Sequence, residues 1–409
     1  MKMFRVHSVE DAKKELTKHF KDYKLENEEI DISKAVGRVL AHDVYSNVNV
    51  PHFRRSTVDG YAVLSKDIHG ASESLPAFME TIGEVHMGKP ADKSLSADKA
   101  CYVPTGGMIP DGADAVVMVE YTEKLDEENI AIYRPVANKE NIIDIGDDIG
   151  KDEKVLYEGL KLRPQDIGVL SSIGVDRIKV YKLPSIAIIS TGDEIVGPSE
   201  EVRLGQIRDI NTYTLASMAE VAGCVVTKKV VVKDEFELLK ATAVEAVDNN
   251  DIVIISGGSS VGTKDITSKV INIIGEPGVF VHGVAIKPGK PTILSKVKGK
   301  AVFGLPGQPV SAMIVFKVFV EYLINYIQGI DLEMESSIEA KFTSNIHSAQ
   351  GKETYQMVTI EKKDGEYVAK PIFGKSGMIT LMSKAKGYIK IDTDKEGVMQ
   401  GELVKVIPI

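Results

Sequence analysis

The stretch DIVIISGGSSVGTKDITSKVINII, residues 251–274, decides the fold. It opens with a continuous apolar run, which is typical of a strand buried on both faces. Glycines and serines follow, and the segment from Asp265 onward has the apolar spacing of a helix. A strand, a polar loop and a helix form the repeating unit of a parallel sheet that carries helices on both sides.

The same alternation surrounds this stretch. SIAIIS (185–190) and CVVTKKVVV (224–232) are predicted to be strands that are apolar on both faces, and NTYTLASMAEVAG (211–223) and DEFELLKATAVEAVD (234–248) are predicted to be helices. Gly223 stands where a C-cap glycine is expected. Residues 310–327 predict a long apolar helix with one polar stripe, which we expect to lie against the sheet rather than to span a membrane.

Composition limits the class of protein. The chain has 409 residues and a net charge of −9, which disfavours non-specific nucleic-acid binding. Its two cysteines lie far apart and suit no metal-ligand pattern, so a reduced setting is expected. The N-terminal residues lack the apolar core of a signal peptide. We therefore predict a cytoplasmic protein.

Three polar loops follow predicted strands. They are STGDEIV (190–196), SGGSSVGTKD (256–265) and GLPGQPVS (304–311). In a doubly wound sheet, ligands bind at the carboxyl ends of the strands, so the three loops are predicted to converge on one site.

The loop SGGSSVGTKD resembles a phosphate-binding loop, but Lys264 comes one position late and Asp265 stands where a hydroxyl would bind magnesium. Gly257 and Gly258 would let backbone N–H groups approach a phosphate, and a helix beginning near Asp265 would add its positive end. The alternative is a tight turn that needs glycine for its geometry alone.

AIKPGKP (285–291) places Lys287 and Lys290 around a Pro-Gly turn, where two amines can hold an oxyanion or a diphosphate. The alternative is an exposed turn with solvated lysines. In GLPGQPVS, Pro309 fits the first turn of a helix, and there the alternative to a ligand loop is simply a rigid helix start.

Carboxylates occur in the same group of loops, namely Asp193, Glu194, Asp234 and Asp265. Acids beside phosphate-binding backbone suit Mg²⁺, which prefers oxygen ligands. For each acid alone, a helix N-cap or a solvated charge is the competing interpretation, and it is strongest for Asp234.

The region from about 45 to 145 has short β-prone runs between Gly- and Pro-rich turns. It contains PHFRRSTVDGYAV (51–63), in which Arg54, Arg55, Ser56 and Asp59 form a polar cluster without an evident partner in its own module. No His, Ser or Cys arrangement indicates covalent catalysis.

Six motifs in this order resemble the molybdopterin molybdenumtransferase family, which includes bacterial MoeA proteins and the E domain of gephyrin. They are FRRSTVDGYA, PTGGMIPDGADAVVMVE, STGDEI, SGGSSVGTKD, AIKPGKP and GLPGQPVS. The resemblance implies insertion of molybdate into adenylylated molybdopterin with release of AMP, assisted by Mg²⁺. It also implies a homodimer whose site is shared between subunits, with the adenylyltransferase of the same pathway as a possible partner.

With the resemblance, the predicted fold is α/β plus all-β modules. A doubly wound, mostly parallel sheet domain of molybdopterin-binding type is predicted from 1–23 and 182–330. A small linking domain is predicted from 24–45 and 147–181, a β-rich inserted domain from 46–146, and a C-terminal β-barrel from 331–409.

The resemblance also implies roles for particular residues. Asp59 and Thr105 would be catalytic and would enter the site from the partner subunit, together with Asp148 or the adjacent Asp147. The sheet domain would supply the catalytic residues Glu194, Asp234, Asp265, Lys287 and Lys290, with Glu194 and Asp265 as metal ligands. Substrate-binding positions would be Asp148, Thr191, Gly192, Ser256, Gly257, Gly258, Gly262, Pro306, Gly307, Pro309 and Ser376.

The chain departs from the family pattern at Val58, Ile210 and Gln308, where methionine, serine and asparagine are usual. None of these changes removes a charge that the reaction needs. Two other functions fit parts of the sequence. One is a molybdopterin adenylyltransferase, which would leave the β-modules unexplained. The other is a non-catalytic scaffold, against which the retained acids and lysines argue.

Overall fold

The computed structural model describes residues 6–257, 261–330 and 337–409, and within the helix Val261–Ile274 it describes the side chains from Ile266 onward. Up to residue 181 the elements are α1 (Val9–Phe20), β1 (Asn27–Asp31), β2 (Val44–Tyr45), β3 (Arg55–Ser56), β4 (Gly60–Val63), β5 (Ala77–Glu84), β6 (Lys99–Val103), β7 (Ala115–Met118), β8 (Thr122–Lys124), β9 (Asn129–Ile132), β10 (Ile142–Ile143), β11 (Lys154–Leu156), α2 (Pro164–Ser172) and β12 (Arg177–Tyr181).

The second part of the chain carries the central sheet. Its elements are β13 (Ser185–Thr191), β14 (Ile195–Val196), β15 (Ile207–Arg208), α3 (Asn211–Val221), β16 (Val225–Val232), α4 (Phe236–Asn249), β17 (Ile252–Gly257), α5 (Val261–Ile274), β18 (Pro277–His282), β19 (Ile286–Lys287), β20 (Ile293–Val297), β21 (Lys300–Pro306) and α6 (Pro309–Ile327).

The last part is rich in strands. Its elements are β22 (Ile338–Phe342), β23 (Ile346–His347), β24 (Glu353–Lys363), β25 (Glu366–Pro371), α7 (Thr380–Lys384), β26 (Gly387–Ile391), β27 (Gly397–Val398) and β28 (Leu403–Pro408).

The central sheet confirms the predicted doubly wound, mostly parallel architecture. Its strand order is β16-β13-β17-β21-β20-β18, in which the first four strands are parallel and β20 runs antiparallel to both of its neighbours, β21 and β18. Ile186 and Ile188 of β13 pack in one core with α1, α3 and α6, whereas Ala187 and Ile189 pack in a second core with α4 and α5. Both faces are covered, which explains the continuous apolar runs.

The strand β16 differs from the prediction. Its residues alternate between exposed and half-buried positions up to Val232, so the strand is not apolar on both faces. It lies at the edge of the sheet and pairs with β13 alone among the described strands. An edge strand has less sheet around it, so polar residues such as Lys228 are tolerated there.

Two helices follow their sequence patterns closely. The apolar positions of α1, which are Val9, Ala12, Leu16 and Phe20, are all buried, as predicted. The helix α6 is the one described helix long and apolar enough to cross a membrane, but 67% of its most apolar window is buried inside the protein. Its apolar character therefore matches its position in the core beside α1 and α3.

The N-terminal half contains two further packed regions. A six-stranded sheet of order β7-β4-β6-β5-β9-β8 lies within the segment predicted to be β-rich. The strands β1 and β12 pair antiparallel, as do β2 and β11, which brings together the two segments predicted to form the linking domain. A separate apolar core around Leu40, Leu162 and Leu170 accompanies these pairs. The boundaries between these regions stay predictions.

The C-terminal strands form the predicted barrel. The strands β24, β25, β22, β28 and β26 pair in this order, and β26 pairs back to β24, which closes the sheet. Closure leaves these five strands without a free edge of the kind that open sheets have. The short strand β19 of the preceding region joins β24 in parallel, with Ile286 opposite Glu353.

At the amino end of the central sheet, a half-buried carboxylate joins separate parts of the chain. Asp251 accepts hydrogen bonds from the Tyr23 hydroxyl at 2.6 Å, from the Ser185 backbone and hydroxyl at 2.8 and 2.7 Å, and from the Lys300 ammonium at 3.1 Å. Burial by itself would raise the pKa of Asp251, but these hydrogen bonds lower it from 3.8 to about 2. The ionised form is thus stabilised in the folded protein.

We predict that Asp251→Asn lowers the free energy of unfolding by about 2 kcal/mol near neutral pH, because the lowered pKa is a stabilisation of the folded state. That contribution is complete above the unfolded-state pKa and is lost as the pH falls towards the folded-state value. The difference between wild type and variant should therefore shrink between about pH 4 and about pH 2. Urea unfolding followed by circular dichroism across this range measures it.

The control is Asp248→Asn, since Asp248 is an exposed acid whose carboxylate lies 2.8 Å from the Lys298 ammonium. An exposed pair of this kind contributes about 0.5 kcal/mol or less. Equal destabilisation by the two variants, or a difference at Asp251 that is independent of pH, would contradict the interpretation.

Candidate functional site

Three parallel strands of the central sheet end at the same level. Thr191 of β13 lies opposite Gly257 of β17, which lies opposite Pro306 of β21. The loops that leave these strands therefore start side by side at the carboxyl edge. The convergence expected from the sequence is confirmed.

A cavity of about 400 Å³, here called the strand-end cavity, lies where these loops meet. It contains six positions that the sequence predicted to bind substrate or metal. They are Thr191, Glu194, Ser256, Gly257, Gly307 and Pro309. Glu194 is half-buried in its wall, and Asp209 and Arg208 add further charged groups.

Asn211 links two of the loops, although sequence reasoning missed it. It is the first residue of α3 and is 8% exposed. Its side-chain amide donates hydrogen bonds to the Ser256 hydroxyl at 2.8 Å and to the Gly307 carbonyl at 2.9 Å. Asn211 follows Ile210, one of the departures from the family pattern, so the segment RDINTYTL was the signal that could have identified it.

Asp234 does not act as the helix N-cap that the competing interpretation proposed. The N-cap position of α4 belongs to Glu235, which makes no side-chain capping hydrogen bond. Instead, the Asp234 carboxylate accepts a hydrogen bond from the Thr191 hydroxyl, and its backbone N–H donates to the Asp193 carboxylate at 3.3 Å. Asp234 is thus held beside the strand-end cavity by the loop after β13.

The loop after β17 differs from the prediction at its far end. The helix α5 begins at Val261, four residues before Asp265, so Gly262 is a helical residue and not a loop glycine. A helix can contain glycine, although glycine inside a helix lowers its stability relative to alanine. The position of Gly258 and the side chain of Asp265 lie outside the described residues, and their roles stay predictions.

A second cavity of about 770 Å³ lies between the central sheet and the C-terminal barrel. Lys287 and Lys290 both line it, so the turn between these lysines directs the two residues to one side. Pro306 and Ser376 line the same cavity. Gly289, which lies between the two lysines, has φ +118°, and a Cβ there would lie 2.6 Å from Val315 Cγ2. The turn therefore requires glycine both for its backbone angle and for its packing. We call this space the lysine cavity.

The barrel supplies polar residues to the lysine cavity that no sequence motif indicated. They are Asn345, His347, Lys352, Thr354 and Gln356. None of the described residues that line this cavity is an aspartate or a glutamate. Three lysines without a lining carboxylate make a positively charged space, which favours an anion.

The two cavities adjoin at the turn between β21 and α6. Gln308, at the tip of this turn, lines both of them. Its side-chain carbonyl accepts a hydrogen bond from the Ser376 hydroxyl, and the Val310 N–H donates to the Ser376 carbonyl at 3.1 Å. The segment after β25 is therefore attached to the start of α6 at the boundary between the cavities.

Asp59 and Thr105 meet in the β-rich region. One oxygen of Asp59 accepts hydrogen bonds from the Thr105 backbone N–H at 2.8 Å and from its hydroxyl at 3.2 Å. Both residues are exposed, as is Asp148, whose N–H donates to the Val50 carbonyl. These three residues line neither the strand-end cavity nor the lysine cavity.

The expectation that residues 54–59 have no partner in their own module was wrong. The Arg54 guanidinium donates to the Ala113 carbonyl at 2.9 Å and to the Pro110 carbonyl at 3.4 Å, and the Ser56 hydroxyl donates to the Val58 carbonyl at 2.6 Å. The side chains of Arg54 and Ser56 therefore have hydrogen-bond partners within the β-rich region. Asp59 remains the exposed acid in it.

One described carboxylate among the predicted magnesium ligands lies in a cavity wall. Within the part of the chain that the structure describes, no three His, Cys, Asp or Glu side chains are gathered in a metal-binding group. Mg²⁺ usually binds one or two carboxylates together with waters and substrate phosphates. Glu194, in the wall of the strand-end cavity, can supply one such carboxylate.

Family models match most of the chain. Residues 7–174 match the MoeA N-terminal region (domain I and II), residues 187–325 match a probable molybdopterin binding domain, and residues 339–409 match the MoeA C-terminal region (domain IV). The matched central segment contains the strands whose ends form the strand-end cavity.

Whole-chain comparisons agree with these matches. The chain is 31% identical to the molybdopterin molybdenumtransferase of Haemophilus influenzae, with 94% of each chain aligned. It is 30% identical to the molybdopterin molybdenumtransferase of Staphylococcus aureus strain COL, over 92% of this chain and 90% of the relative. The crystal structure of the molybdopterin biosynthesis MoeA protein from Pyrococcus horikoshii OT3 has a TM-score of 0.85 and 31% identity, over 99% of this chain and 100% of that one. The chain therefore belongs to the MoeA family.

Proposed function

We propose that this protein is a molybdopterin molybdenumtransferase of molybdenum cofactor biosynthesis, which inserts molybdate into adenylylated molybdopterin and releases AMP. Membership of the MoeA family supports the reaction class. The reaction needs separate places for molybdate and for the phosphate side of the pterin. Two adjoining cavities support it, one lined by lysines and the other by strand-end loops that bear acids.

The lysine cavity suits molybdate. Molybdate is a small dianion with four acceptor oxygens, and Lys287, Lys290 and Lys352 bring positive charge without a lining carboxylate to compete for it. Hydroxyl and amide groups of the barrel can complete the hydrogen bonds. The volume of about 770 Å³ leaves room for the oxyanion and for part of the pterin.

The strand-end cavity suits the phosphate side of the adenylylated pterin. The helices α3 and α6 begin at its wall with Asn211 and Pro309, so their positive ends favour an anion there. Glu194, together with Asp265, would hold Mg²⁺, which when bound neutralises charge on the pyrophosphate. The contribution of the chain to AMP release is then mainly positional and electrostatic.

The assay for this function is molybdate-dependent release of AMP from adenylylated molybdopterin by the purified protein. We expect AMP in the presence of molybdate and little without it. Release of pyrophosphate from ATP and molybdopterin would indicate an adenylyltransferase instead. Inactivity in both assays, together with failure to restore cofactor synthesis in a strain that lacks the transferase, would indicate a scaffold.

We predict that replacing Lys287 and Lys290 together by alanine raises the Kd for molybdate by about tenfold or more, while the Kd for AMP stays within about twofold. The two ammonium groups are expected to contact the oxyanion and not the nucleotide. Isothermal titration with molybdate alone and with AMP alone measures the two constants.

The matched control is Lys298→Ala, because Lys298 is an exposed lysine that pairs with Asp248 away from both cavities. It should leave both constants unchanged. If the double variant weakened AMP and molybdate equally, the assignment of the lysines to molybdate would be overturned.

We further propose a homodimer in which Asp59, Thr105 and Asp148 of one subunit complete the site of the other. The support is that all three are exposed and that none lines the strand-end cavity or the lysine cavity of its own chain. In such an arrangement an Asp59 defect and a lysine defect on different subunits leave one intact site in each dimer.

We predict that a dual-tagged dimer of an Asp59→Asn subunit and a Lys287→Ala/Lys290→Ala subunit retains about half of the wild-type rate of AMP release. The reciprocal control places all three substitutions on one subunit beside a wild-type subunit, and that dimer should be inactive. Activities in the opposite order, or a protein that is monomeric during turnover, would show that each site lies within one chain.

A further inference from the structure

Gln308 is the one residue, among those the structure describes, that lines both the strand-end cavity and the lysine cavity. A second segment also contacts both cavities, through two consecutive residues. Ser376 lines the lysine cavity, and the next residue, Gly377, lines the strand-end cavity. Two segments therefore cross the boundary together, one from the central sheet and one from the segment that follows β25.

The Gln308 side chain is not used to cap the helix that follows it. Gln308 occupies the N-cap position of α6, but it makes no side-chain capping hydrogen bond. Its carbonyl oxygen instead accepts the hydrogen bond from Ser376. A second bond between the same segments, from the Val310 N–H to the Ser376 carbonyl at 3.1 Å, fixes the backbone beside it.

The length of this side chain matters. Glutamine carries its side-chain carbonyl one methylene further from the backbone than asparagine does. The side-chain carbonyl of an asparagine would be set back towards the β21–α6 turn and away from Ser376. In this chain, the contact across the boundary thus depends on the longer residue.

We propose that Gln308 is a positioning residue for metal insertion, and the inference rests on the proposed function. Its contact with Ser376 holds the segment after β25 at the junction of the two cavities. This arrangement sets the opening through which the adenylylated pterin reaches from its phosphate side in the strand-end cavity to molybdate in the lysine cavity. Neither ligand needs this contact in order to bind in its own cavity.

The test compares Gln308→Leu, Gln308→Asn and Ser376→Ala with the wild type. The leucine variant keeps the size of the side chain without its acceptor, and the asparagine variant keeps an acceptor that falls short. We expect each substitution to lower kcat for AMP release by about fivefold or more, with the Kd for molybdate and for AMP each within about twofold.

Two further variants separate the contact from a general structural effect. The Gln308→Leu/Ser376→Ala double variant should be no slower than either single variant, because both changes break the same bond. Ser383→Ala removes an exposed hydroxyl of α7 that lines neither cavity, and it should keep kcat within about twofold. Hydrogen exchange in the segment 373–378 should increase equally in the two single variants and in the double variant.

Unchanged kcat in the Gln308 variants, additive losses in the double variant, or weaker molybdate binding in Ser376→Ala alone would overturn the inference while the proposed function stands. The last result would mean that Ser376 acts directly on molybdate. A wild-type protein that releases no AMP with molybdate would overturn the proposed function and this inference with it.

Discussion

The hydrogen-bond register of three parallel strands is the constraint on which the candidate site depends. Because Thr191, Gly257 and Pro306 lie opposite one another, β13, β17 and β21 end at one level and their loops begin together. A shift of one residue in this register would turn every side chain of a strand to the other face. The apolar residues on both faces of β13 and β17 oppose such a shift, since two separate cores hold them.

Hydrogen bonds from Asn211 hold two of these strand ends together. Its amide hydrogen-bonds to Ser256 near the end of β17 and to Gly307 just after β21, so the start of α3 ties the end of one strand to the loop that follows the other. Both bonds are largely shielded from water, where a polar contact of this kind is costly to break. The strand-end cavity is thereby a defined space rather than a gap between loose turns.

The division of charge between the cavities follows from their origins. The acids lie in loops at the carboxyl edge of the sheet, whereas the lysines lie in a loop that pairs with the barrel through β19. Acids and lysines in a single cavity would pair with one another and lose their attraction for ligands. Separation by the Gln308 turn leaves the cationic lysine cavity beside a strand-end cavity that is lined by Glu194, Asp209 and Arg208.

Local patterns were sufficient to predict most of the fold. The buried face of α1, the glycine after α3 and the helix start at Pro309 follow from spacing and from backbone chemistry that neighbouring residues alone set. The start of α5 was predicted four residues late, because the glycine and polar residues before Asp265 have weak helix propensity, which the surrounding structure overrides. The partners of the Arg54 guanidinium were not expected, because the backbone carbonyls that accept its hydrogen bonds belong to residues more than fifty positions away in the sequence.

By itself, the sequence determined which strands carry the candidate acids and strand-end loops to one edge, since this depends on residue type and short-range periodicity; the roles of those residues stay predictions. Only the tertiary structure decided that Asp234 contacts Thr191, that Asn211 links two loops, and that Lys352 joins Lys287 and Lys290 around one cavity. The physical reason is that these contacts join side chains far apart in the chain. Their meeting depends on how whole elements pack, and no local pattern records that packing.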